Sequence, residues 1–81
     1  MRIVKVIPHP YFRITLFYYN SRYQLKLEDA FYEEHMKFRE EEVNAANEAA
    51  VIKMLENFDF SSYRQRFESL HQDRLTMLHL I

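Results

Sequence analysis

The sequence predicts an α+β domain: an antiparallel β-meander of three to four strands, followed by two α-helices packed on one of its faces. Two patterns carry that prediction. Apolar residues alternate from Phe12 to Leu27, and beyond Val43 they recur at spacings of three and four. Length sets a bound, since 81 residues suffice for a single domain, with 1–39 assigned to the meander and 43–80 to the helices.

The first strand is read from Ile3 to Ile7, β-branched except at Lys5. Pro8-His9-Pro10 ends it, because each proline lacks a ladder donor and restricts the residue before it. His9, held between two prolines, reads as an exposed loop residue rather than a ligand or base. From Phe12, the side chains of Phe12, Ile14, Leu16 and Tyr18 share one face, and Arg13, Thr15, Phe17 and Tyr19 the other. Asn20-Ser21 can turn the chain, since Asn tolerates positive φ. A two-residue turn there sets Ile14, Leu16 and Tyr18 opposite Leu27, Leu25 and Tyr23. On the reverse face it sets Arg13 against Glu28, Thr15 against Lys26 and Phe17 against Gln24. Apolar meets apolar and base meets acid at one register, and a slip of one residue destroys both matches.

Residues 31–39, FYEEHMKFR, fit either a third hairpin strand or a helix with Glu33–Lys37 and His35–Arg39 at i,i+4. The strand is preferred, because a two-stranded ribbon needs a third strand or a cover. A turn at Asp29-Ala30 then pairs Leu27 with Tyr32, Lys26 with Glu33 and Tyr23 with Met36, and leaves Glu34 on the apolar face opposite Leu25. After Glu40-Glu41-Glu42, a helix capped at Asn44 is expected to run towards Asn57, with Val43, Ala46, Ala50, Val51, Met54, Leu55 and Phe58 as its stripe. Asp59, Ser61 or Ser62 can cap the next helix, and Ser62 to Gln65 matches a capping box. That helix is expected to bury Tyr63, Phe67, Leu70, Met77 and Leu78, with Arg74 contributing at most its stem. Its end, Leu75 to Ile81, carries no charge beyond that of His79 and reads either as the last of the core or as an interface.

Composition excludes more than it supports. Glycine is absent, although ordinary usage of about 7% predicts roughly six, so no Gly-rich phosphate loop can form. Cysteine is absent too, which removes disulfides and thiolate metal sites. His71 and His79 lie about 12 Å apart along a helix, too far to share a metal. Neither HxxxH nor HExxH occurs, and no serine sits in a nucleophile elbow. No catalytic residue, metal or cofactor is therefore expected, and the chain reads as no enzyme. The N-terminal run meets Lys5 and Pro8 too early for a signal peptide or membrane span, so the expectation is a cytoplasmic protein without membrane contact.

Charge is uneven about the net −1: residues 1–27 carry +5, residues 28–59 carry −7 and residues 60–81 carry +1. A basic segment rich in rings suggests nucleic acid. Sorting by face weakens that reading, because Phe12, Tyr18 and Tyr23 go to the core and Arg13 and Lys26 meet acids. Phe17, Tyr19 and Phe31 remain as an exposed aromatic set, which suggests a protein partner or a second copy of the chain.

The stretch IPHPYFRITLFYYNSRYQLKLED, residues 7–29, resembles the opening of a family of short uncharacterised bacterial proteins. These share an IPHP-type start, an ITLF strand, an Asn-containing turn and a Y-x-L-K-x-E strand. Gly often stands at their second turn, where this chain has Ala30. The resemblance implies the third strand and brings no activity, cofactor or site residue. The functional expectation is a small protein–protein interaction or self-associating protein, a dimer or the partner of another protein. The alternative is a nucleic-acid accessory module using Arg13, Phe17, Tyr19, Arg22 and Lys26, although nucleic acid is not the expected partner.

Overall fold

A computed structural model describes residues 1–43 and 47–81. Among these residues four strands, β1 (Arg2–Ile7), β2 (Arg13–Tyr19), β3 (Arg22–Glu28) and β4 (Glu33–Arg39), form one antiparallel sheet in chain order. Two helices follow, α1 (Glu48–Glu56) and α2 (Tyr63–His79), joined through a 3-10 turn over Phe60–Ser62. Both lie on one face of the sheet.

The β2–β3 hairpin has the register that its side chains demand, with Ile14, Leu16 and Tyr18 opposite Leu27, Leu25 and Tyr23, and Arg13 opposite Glu28. Asn20 and Ser21 both take positive φ, 53° and 59°, as a twist-matched two-residue turn requires. The strand reading of 31–39 holds, but its register differs from the expected one by two residues: Leu27 faces Glu34, Lys26 faces His35 and Tyr23 faces Phe38. The cause is the loop. Asp29 Oδ1 accepts the backbone N–H groups of Phe31 and Tyr32 at 2.8 and 2.9 Å, and the Asp29 N–H bonds the Tyr32 carbonyl at 3.0 Å. A four-residue turn thereby replaces a two-residue one. Glu34 is still on the covered face, where Arg66 Nη1 meets its Oε2 at 3.2 Å.

β1 pairs with β2 through a bulge between Ile3 and Lys5. The core lies between sheet and helices, with Ile14, Leu16, Leu25 and Leu27 fully buried below Val51, Leu55, Phe60, Tyr63 and Phe67. The cap expected at Asn44 lies outside the described residues, as does Ala46; α1 begins at Glu48, with Asn47 Oδ1 accepting the Ala50 N–H at 2.8 Å. Arg2 reaches from β1 to Glu48, Nη1 to Oε1 at 2.7 Å, an ion pair without hydrogen-bond geometry between the sheet and the start of α1. Within the expected stripe Val51 and Leu55 are buried, whereas Ala50, Met54 and Phe58 are exposed. The capping box at Ser62 does not form. Asp59 caps instead, accepting the Ser61 N–H at 2.9 Å, because the 3-10 turn moves the first free N–H groups upstream. That bond holds the Asp59 carboxyl below its ordinary value.

Candidate functional site

Among the described residues two surfaces lack a cover, and both follow from the chain's periodicities. The first is the sheet face turned away from the helices. Its rows, read across the strands, are Val6–Thr15–Lys26–His35, Ile3–Phe17–Gln24–Lys37 and Tyr19–Arg22–Arg39. Thr15 is buried there by its neighbours' side chains, while Ile3, Val6 and Tyr19 stay exposed, Tyr19 at 56%. Phe17 is half-buried.

The expected aromatic set is not one cluster. Phe31 is 64% exposed, but it belongs to the β3–β4 turn, at the opposite end of the sheet from the row of Tyr19. The Arg74 guanidinium lies 4.9 Å from its ring centroid, so Phe31 is tied to α2. It also lines a cleft of about 270 Å³ with Tyr11, Tyr32, Arg64, Phe67 and His71. Two pairs of side chains meet within that cleft: Arg64 lies over the Tyr11 ring at 4.3 Å, and the Tyr32 hydroxyl is 3.1 Å from His71 Nδ1.

Charge divides the open face. At one end Arg13 Nε is 4.0 Å from Glu28 Oε1, Lys26 Nζ reaches both Glu28 and Glu33, and His35 Nε2 is 3.2 Å from Glu33 Oε2. The Gln24 amide, 2.9 Å from His35 Nδ1, completes this network. At the other end stand Arg22, Lys37 and Arg39. Of the three bases of the nucleic-acid alternative, Arg13 and Lys26 are thus engaged by acids, and Arg22 is joined by two cations that the sequence left unassigned. Among the described residues, no three His, Asp or Glu side chains gather as a metal-binding group, and no helix is long and apolar enough to cross a membrane.

No family model, curated protein or solved structure matches this chain.

The second uncovered surface is the end of α2. Tyr63 and Phe67 are buried under the first turns, but every residue from Glu68 to Ile81 is exposed. The expected burial of Leu70, Met77 and Leu78 is therefore overturned, since the sheet ends before the helix does. The molecule measures 49 × 25 × 19 Å, and a helix of this length runs about 25 Å. Below the overhang lies a groove lined by Tyr32, Leu70, Asp73, Arg74, Met77 and Leu78.

Proposed function

We propose that this is a small non-enzymatic association protein that forms a homodimer through the overhanging half of α2. The exposed apolar end of that helix carries the reading. Leu70, Leu75, Met77, Leu78, Leu80 and Ile81 are exposed on a segment tied to the sheet side through His71 with Tyr32 and Arg74 with Phe31, neither of which covers these apolar side chains. Isolated helices of this length are marginal in water, so a helix of this composition calls for a partner surface.

A second copy is the occupant that the spacing favours. Tyr63, Phe67, Leu70, Arg74, Met77 and Ile81 step by alternating fours and threes, the interval of a two-helix seam. Two antiparallel overhangs would set Leu70 against Ile81 and Arg74 against Met77, with the helix dipoles opposed. Such a contact is closed by one two-fold axis, and the groove below Leu70 gives it room for the partner's Leu78. A cytoplasmic setting belongs to the same proposal, for a fold whose sequence holds no cysteine and so no disulfide.

Light scattering behind size exclusion, across protein concentration and salt, tests it. The expected result is a dimer that persists at high salt, as an apolar contact should. Met77→Lys with Leu78→Lys should give a folded monomer, while Phe17→Ser with Tyr19→Ser should leave the dimer intact. A wild-type chain that is monomeric at every concentration refutes the reading, and loss of the dimer in the second variant moves the interface to the open sheet face.

A further inference from the structure

The β3–β4 ladder sets like charges opposite each other at both of its ends. At one end Glu28 faces Glu33, and Lys26 Nζ sits 3.5 Å from the first and 3.7 Å from the second. At the other end Arg22 faces Arg39, and among the described residues neither guanidinium has a carboxylate within ion-pairing distance, the nearby Glu42 Oε1 accepting the Arg39 backbone N–H at 3.3 Å instead. Like charges placed directly opposite repel. Lys37, next along β4 on the same face, adds a third cation. Tyr19 is the β2 member of the Arg22 row, and its exposed ring lines a hollow of about 260 Å³ with Met1, Asn20, Arg22, Gln24 and Lys37.

We infer that this end of the open face binds single-stranded nucleic acid, with phosphates against Arg22, Lys37 and Arg39 and a base stacked on Tyr19. Charge complementarity selects a polyanion, because three mutually repelling cations gain most from several linked negative charges. The adjoining ring selects a polyanion with unpaired flat bases, which any sequence can supply. Strands lie about 4.8 Å apart, so a chain crossing them meets Tyr19, Arg22 and Arg39 in turn over about 10 Å. This site goes beyond the association proposal and does not depend on it, since the open face points away from the helices.

Fluorescence anisotropy with a labelled strand of about 12 thymidines tests it. Three phosphate contacts give a log–log salt slope of about −2, so affinity should fall about 20-fold between about 50 and 200 mM salt. Arg22→Ala with Arg39→Ala should weaken binding at least tenfold and flatten the slope to about −0.7. Tyr19→Ala should weaken it about tenfold and leave the slope unchanged. Arg13→Ala, at the compensated end, should change affinity less than twofold. Circular dichroism melts confirm folding, and Lys37→Ala serves in place of the double variant if that fails to fold. The inference is overturned by absence of saturable binding at low salt, or by full affinity in the arginine variant. It also falls if duplex binds as tightly as single strand with Tyr19→Ala silent, or if polyglutamate displaces the strand as well as unlabelled thymidines do, which would make the occupant an acidic protein.

Discussion

Phe67 and Met77 stand ten residues apart on one helix and on one apolar stripe, yet Phe67 is 4% exposed and Met77 65%. Phe67 meets Phe12 edge-on at 4.9 Å between ring centroids, against the sheet. Met77 lies beyond the sheet's end. Periodicity reports which side of a helix is apolar, and only the length of the opposing layer decides how much of that side is covered.

The largest expected effect follows from that pair. Phe67→Ala should destabilise the protein by about 3–5 kcal/mol, through lost burial and the cavity left behind. Met77→Ala should cost under about 0.5 kcal/mol in dilute solution, where nothing covers it. If the overhang is the dimer contact, the second cost grows with protein concentration while the first does not. Urea midpoints at two concentrations read both, and equal costs in dilute protein would erase the contrast between the halves of α2.

The two ends of the β3–β4 ladder offer the same contrast on a smaller scale. Glu28 and Glu33 are bridged by Lys26, whereas Arg22 and Arg39 are not bridged by an acid among the described residues. Arg39→Gln should therefore stabilise the free protein by about 0.2–1 kcal/mol. Glu33→Gln, which removes a partner from Lys26 and His35, should be neutral or mildly destabilising. Thermal melts at low salt show the difference best, and it should shrink as salt screens the pair. A destabilised Arg39→Gln would mean that the two arginines are not in conflict.

These contrasts mark how far the residues alone could be read. The β2–β3 register was legible because two independent patterns, Ile14–Leu27 and Arg13–Glu28, agree on one alignment. The β3–β4 register was not. A slip of two residues keeps every side chain on its face, so the pattern of faces cannot detect it. The two hydrogen bonds that Asp29 makes to the loop decided it, and that choice brings Arg39 opposite Arg22. Phe17, Tyr19 and Arg22 could thus be placed on the open face from sequence, whereas the role of Lys37 and Arg39 waited on a loop. Phe31 was misplaced for the same reason, since a turn residue has no strand parity to read.

The smallest expected effect lies at the rim where covered and uncovered sides meet. The Tyr18 hydroxyl donates to Glu40 Oε1 at 2.6 Å, with the Arg2 guanidinium 5.5 Å from the ring centroid. That hydrogen bond, followed by burial and the carboxylate's charge, raises the phenol above its ordinary value of 10.0. The folded state thus holds this proton more tightly than the unfolded chain does. Its contribution is complete below the unfolded pKa and is lost as pH rises through the folded one. Tyr18→Phe should be less stable than wild type at pH 7, and the gap should close as pH climbs past about 10. Tyr23, raised chiefly by burial, titrates in both proteins, and its charge adds a minor part of the rise at Tyr18, so the gap closes over the range in which both phenols ionise. Urea midpoints of the two proteins from neutral to alkaline pH measure the gap directly. A gap that stays constant would show that the Tyr18 hydroxyl anchors nothing through its proton, and that the rim is held by the packing of its ring alone.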